Sequence, residues 1–171
     1  MDHARRATPA DAGELIRLRK VMLDSHIGVD PDISWQRHGI ADLRARLGDP
    51  ASGLAAYVVG RPGGGLASGA IGMIDHRLPG PGNPLGLHGH VFSVATDPDM
   101  RRRGHSRACM EGLLGWFRER GAAKVELRAS ADAVALYASL GFVAVPDPSM
   151  RLTLETAPSG SPSRQRPAGR L

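Results

Sequence analysis

Val91-Phe92-Ser93-Val94-Ala95-Thr96, then Asp97-Pro98-Asp99-Met100, then Arg101-Arg102-Arg103-Gly104-His105-Ser106: the fold is decided in this stretch. The first six residues are apolar and β-branched enough for a buried strand. Asp97-Pro98 ends it, because proline lacks an amide donor and restricts the residue before it. The basic loop leads into residues 106–120, which read as a helix. Met110, Leu113, Leu114 and Phe117 lie on one face of it, and Gly121 sits where a C′ glycine belongs. A strand therefore feeds a tight loop at a helix N-terminus. There the first amide N–H groups lack intrahelical acceptors and the helix dipole adds partial positive charge. Gly104 permits a positive φ or a close backbone approach, and the arginines offer full charge to phosphate oxygens. The loop suits a diphosphate. A triple arginine alone reads more readily as a solvated helix cap; the strand before and the helix after favour the binding loop.

Downstream, residues 125–129 read as a strand, 132–140 as a short helix closed by Gly141, 142–145 as another strand and 150–154 as the last. Residues 155–171 carry Pro, Ser, Gly and Arg without apolar periodicity and read as a disordered tail, leaving 1–154 as one domain. Upstream, Ala7-Thr8 reads as the end of a short first strand. Pro9-Ala10-Asp11 opens a helix in which Leu15, Ile16, Leu18, Val21 and Met22 recur at helical spacing. Residues 24–34 read as a loop and 35–47 as a second helix, stopped by Gly48-Asp49-Pro50. Residues 54–59 and 67–74 read as strands joined by Gly60-Arg61-Pro62-Gly63-Gly64-Gly65. Residues 78–89 hold enough proline and glycine to be irregular, and 90–96 is the strand quoted above. Three strands in succession predict antiparallel pairing; strand-helix-strand predicts a parallel neighbour. The expected fold is α+β (mixed α/β), with a central mixed, mostly antiparallel sheet of six to seven strands flanked by about four helices.

A chain of 171 residues fits one domain with one core. The net charge of +5 is uneven: Arg151, Arg164, Arg166 and Arg170 stand against Glu155 alone, so most of the surplus sits at the C-terminal end. A near-neutral core with seven aromatic residues argues against a nucleic-acid partner. No apolar run reaches the roughly 20 residues needed to span a bilayer, so no membrane partner is expected. Cys109 is the lone cysteine, and no secretory leader follows Met1. The expected location is the cytoplasm.

The loop resembles the signature of the GNAT acetyltransferases: Arg or Gln, two residues, Gly, one residue, then Gly or Ala. Arg101, Gly104 and Ser106 take those places, with Ser106 the departure. Ala135-Leu136-Tyr137 followed by Gly141-Phe142 is similar to the family's second hallmark, a helix tyrosine and a Gly-Phe ending. The two motifs occur in the family's order, and the likeness covers roughly residues 5–154. It implies acetyl-CoA as co-substrate, no metal, and direct transfer of an acetyl group to an amine. Backbone groups of Val94 and Thr96 would hold the pantetheine arm, because the family splays this strand from its neighbour. Arg101 heads the loop, and the amides of Arg102, Arg103, Gly104, His105, Ser106 and Arg107 would hold the pyrophosphate. Tyr137 would protonate the leaving thiolate, a task that suits a phenol. Ser130 stands where many members place an Asn against the cofactor arm. Cys109 is expected to pack as a small core residue.

A base must take a proton from the attacking amine, directly or through water. His90 stands roughly where histone-acetylating members have a glutamate and arylalkylamine members a histidine. His88, two residues away, points to the same side of a strand. Positioning with a water chain and no single essential base is the alternative. The acceptor is expected to be a small-molecule primary amine. Asp24, Asp30 and Asp32, with His26 and Trp35 nearby, lean toward a cationic one. A protein or peptide amine remains open, as does a non-catalytic acyl-CoA-binding domain. Dimers are common in the family, and a homodimer is compatible with this reading.

Overall fold

A computed structural model of the chain describes residues 3–146 and 149–154. Its centre is a sheet in the order β1 (Arg5–Arg6), β2 (Leu54–Gly60), β3 (Leu66–His76), β4 (Leu87–Thr96) and β5 (Lys124–Leu127). The first four pair antiparallel, and β5 lies parallel to β4. Helices α1 (Ala12–Ile27) and α2 (Ser34–Gly48) cover one face. Helix α3 (His105–Glu119) and the short α4 (Val134–Ser139) cover the other.

Period-2 alternation assigns the faces. Leu54, Ala56 and Val58 of β2 pack with Leu15, Ile16 and Leu18 of α1, while Ala55 and Val59 pack with Met110, Leu113 and Phe117 of α3. In β4 the alternation breaks. Val91 and Val94, three residues apart, both join the α3 cluster, and Phe92 and Ala95 join the α1 cluster. The register shows why: Ile71 pairs with Ser93 but Gly72 with Val91, so Phe92 is an extra residue in a β-bulge.

The sheet has five strands rather than the expected six to seven. Residues 142–145 and 150–154 form no strand. Val143, Val145, Met150, Leu152 and Leu154 are all exposed, so the apolar content that suggests strands there is not backed by burial. Pro146 and Pro148 stand between the two segments and withhold two amide donors from any ladder. Helix α1 runs to Ile27, three residues past the expected start of a loop, with Lys20 paired to Asp24 one turn on. Strand β4 begins at Leu87, earlier than the Pro/Gly-rich stretch predicts, because His88 gains partners on both sides, Asp75 and Lys124. The expected tail, 155–171, lies outside the described residues.

Candidate functional site

Strands β4 and β5 pair only from His88↔Lys124 to Val91↔Leu127. Beyond that point each goes its own way, and β4 keeps pairing with β3 up to Ser68↔Thr96. The Asp97 N–H donates to the Ala67 carbonyl at 2.9 Å, and backbone groups two residues apart in a strand turn the same way. The backbone groups of Val94 and Thr96 therefore face the edge that β5 has vacated. The Nε of Arg101 donates to the Thr96 carbonyl there, at 3.4 Å.

Two adjoining cavities fill the gap. The larger, about 710 Å³, is lined by Val94, Thr96, Arg101, Arg102, Gly104, His105, Ser106, Arg107 and Ser130. Gly104 is the N-cap of α3 with φ of 83°, which only glycine adopts freely. Arg102 also has a positive φ, 63°, an uncommon conformation for a side-chain-bearing residue and one found where a loop is shaped for a ligand. Among the described residues the N–H groups of residues 102–107 donate no hydrogen bond to the protein. This cradle of unpaired amides at a helix N-terminus fits a diphosphate. Arg103 does not line the cavity; its guanidinium donates to the Asp99 carbonyl at 3.2 Å.

The smaller cavity, about 410 Å³, shares Met22, His26, Val94, Ser130 and Ala133 with the larger and continues past them to Tyr137, His90, Arg128 and Arg151. The Tyr137 ring is 8% exposed and packs edge-on to Phe142 at 5.9 Å. Its hydroxyl makes no hydrogen bond among the described residues, and burial pushes the phenol pKa up. The His90 ring lies parallel to Phe92, 6.3 Å away, on the α1 side of the sheet. His88 takes the same side, as its spacing predicts, but does not reach the cavity. It is 5% exposed, its Nδ1 has no partner, and its Nε2 is 3.6 Å from Glu126 Oε1. Cys109 is fully buried, and burial pushes its thiol up to about 11, so it packs as a core residue.

The loop is braced from behind. Asp97 is buried and bound by Arg17 of α1 at 2.7 and 3.1 Å and by Arg61 at 2.8 Å; Arg17 also holds Glu14. These guanidiniums hold the Asp97 carboxyl below its ordinary range.

The profile of the Acetyltransferase (GNAT) family matches residues 19–142. The chain belongs to the GNAT acetyltransferase family. Over 55 residues this GNAT chain is 49% identical to the ribosomal protein bS18-alanine N-acetyltransferase of Escherichia coli (strain K12); the match covers 30% of this chain and 37% of that enzyme. The fold is similar to that of an acetyltransferase from Clostridium acetobutylicum crystallised with acetyl-CoA, at TM-score 0.76 and 22% identity over 90% of this chain and 96% of that one. It is similar too to a GCN5-related N-acetyltransferase from Ralstonia eutropha JMP134, at TM-score 0.72 and 25% identity over 88% and 97%.

Two charged residues of the GNAT cleft, Arg128 and Arg151, escape a reading of the sequence, whereas His26 is one of the residues expected near the acceptor. His26 enters because α1 is a turn longer than expected, and the Lys20–Asp24 spacing is the signal for that extra turn. Arg128 and Arg151 come from segments with no motif of their own.

Proposed function

We propose that this GNAT protein moves an acetyl group from acetyl-CoA directly to a primary amine of a small molecule. The observation that carries this reading is the end of β4–β5 pairing at Val91↔Leu127, which opens one cleft between the unpaired amides of α3 and the Tyr137 hydroxyl. The N–H groups of residues 102–107 would take the pyrophosphate oxygens, with Arg101, Arg102 and Arg107 adding charge and Arg103 acting through its backbone. The free edge at Val94 and Thr96 would hold the pantetheine arm, with Ser130 on the opposite wall. His90 would take a proton from the amine, directly or through water, and His88, buried two residues away on the same side of the strand, would support it. Tyr137 would give its hydroxyl proton to the departing thiolate sulfur as the C–S bond breaks; a phenol pushed up by burial keeps that proton at neutral pH. A cavity of about 410 Å³ suits a small acceptor. A peptide or protein amine is the second reading, favoured by the likeness to an enzyme named for a ribosomal protein's alanine.

Calorimetric titration with acetyl-CoA, beside coenzyme A lacking its 3′-phosphate and free adenosine, tests the cofactor. Binding of acetyl-CoA that weakens in Arg102→Glu supports the reading, and no measurable binding sinks it. Thiol release with panels of small amines and of peptides then separates the two acceptor classes.

A further inference from the structure

We propose that the acceptor end of the cleft selects amines that carry an anionic group, a carboxylate above all, with Arg128 and Arg151 as its receptors. The proposal rests on the acyl-transfer reading and names the substrate class of that same site.

The carboxylates that lean toward a cationic acceptor in the sequence are not in the cavity. Asp24 is held by Lys20 Nζ at 2.6 and 2.8 Å. Asp30 and Asp32 accept backbone N–H bonds from Asp32 and Ser34, at 2.9 and 2.8 Å, within their own loop. Among the described residues no carboxylate lines the cavity that holds Tyr137 and His90. Its charged lining residues are Arg128 and Arg151, joined by the imidazoles of His26 and His90. Arg128 sits one residue past β5, where that strand has left β4, and donates to the Ser149 hydroxyl. Neither arginine forms an ion pair among the described residues. The nearby Glu126 stays outside the cavity, between Arg77 at 3.4 Å and His88 at 3.6 Å.

Two guanidiniums facing a partly enclosed cavity, with no countercharge among the described residues, make a receptor for a planar anion, since each offers a fork of N–H donors that matches a carboxylate. The same charge acts on the reacting end. A positive field lowers the pKa of a nearby ammonium, so the acceptor enters its neutral, attacking form more readily. An acceptor with a second ammonium would bring like charge to the arginines and be rejected.

Three amines with the same four-carbon chain test this: 4-aminobutyrate, butylamine and 1,4-diaminobutane. Each is assayed with acetyl-CoA by thiol release, and by calorimetric titration against the protein saturated with coenzyme A. We expect kcat/KM and affinity for 4-aminobutyrate to exceed those of the other two by about tenfold or more. Arg151→Glu should reverse the order in favour of the diamine, and Arg128→Gln should bring 4-aminobutyrate down toward butylamine. Acetyl-CoA affinity, measured in every variant, reports that the cleft is intact. Equal or better use of butylamine or the diamine, or no carboxylate preference in either readout, with acetyl-CoA binding intact, overturns the anionic acceptor and leaves acetyl transfer standing. Absence of acetyl-CoA binding to the wild-type chain fells the acyl-transfer reading and this one with it.

Discussion

The hydroxyl of Ser106, in the first turn of α3, lies 2.7 Å from the hydroxyl of Thr96, the last residue of β4, and Thr96 lies 2.7 Å from Ser68 on β3. Ser68 also donates to the Ala95 carbonyl at 3.0 Å. Three hydroxyls thus tie the loop before α3 to the sheet. The glycine or alanine usual at position 106 of the GNAT loop has no such bond to make. Ser106→Ala should cost about 1 kcal/mol, lowering Tm by roughly 2–4 °C. The Ser106 N–H remains, so acetyl-CoA affinity should hold within about twofold. Thermal unfolding beside calorimetric titration checks both. A loss of affinity far beyond the loss of stability would mean that the hydroxyl itself touches the ligand.

Tyr137→Phe separates chemistry from packing. The ring contact with Phe142 survives the change, and the hydroxyl has no protein partner to lose among the described residues. Stability should be nearly unchanged while kcat falls about 100-fold or more, the range for loss of a general acid. KM for acetyl-CoA should move little. Burial holds the phenol above its ordinary value of 10, so in the wild type Tyr137 sets no alkaline limb below that pH. Steady-state kinetics across pH check the claim; a variant with full kcat removes Tyr137 from the reaction.

Asp97, Glu14 and Asp11 are all held below their ordinary carboxyl range, first of all by hydrogen bonds from Arg17 and Arg5, with Asp11 brought to about 2. A depressed carboxyl contributes stability above its unfolded pKa and loses it as pH falls through its folded pKa. Stability should therefore fall between about pH 4 and pH 2. Asp97→Asn removes the buried anion but leaves Arg17 half-exposed and still paired to Glu14. The cost at pH 7 should be about 2–3 kcal/mol, shrinking toward pH 2. Urea unfolding at pH 7 and pH 3 shows this as a larger gap between variant and wild type at the higher pH; an equal gap at both would remove the Asp97 charge from the account.

The half of the site that depends on local sequence was legible. A strand, a proline, a basic Gly-containing loop and an amphipathic helix follow one another as expected, and α3 and α4 lie close to their expected bounds. The parting of β4 from β5 is a relation between residues more than thirty positions apart; no window shows it, and only the family resemblance led to its expectation. The bulge at Phe92 had a signal, Val91 and Val94 both apolar at a spacing of three, but that signal has meaning only once both faces of the sheet are known to be covered. Arg103 turns to the Asp99 carbonyl beside an Arg102 with a left-handed backbone, and an arginine gives no warning of that conformation. The last two strands were over-read, since the apolar residues of 142–145 and 150–154 suggest a buried strand, whereas Phe142 alone packs on the core and Val143, Val145, Met150, Leu152 and Leu154 are exposed.

Phe117 fills the space that two glycines leave on the α3 side of the sheet. A Cβ at Gly72 would meet its Cζ at 2.7 Å and the His90 carbonyl oxygen at 3.0 Å, and one at Gly89 would meet the same ring at 2.9 Å. Phe117 is 1% exposed and cannot swing into solvent. Gly72→Ala should therefore overpack the core at a cost of about 2 kcal/mol, a fall in Tm of roughly 4–8 °C. It also presses on the backbone of His90, so kcat should fall with it. Phe117→Leu alone should destabilise by leaving a void. The double variant should be more stable than the sum of the two losses allows, because the smaller side chain accepts the added methyl. Thermal unfolding of the four proteins closes the cycle, and simple additivity would mean that the methyl and the ring do not meet.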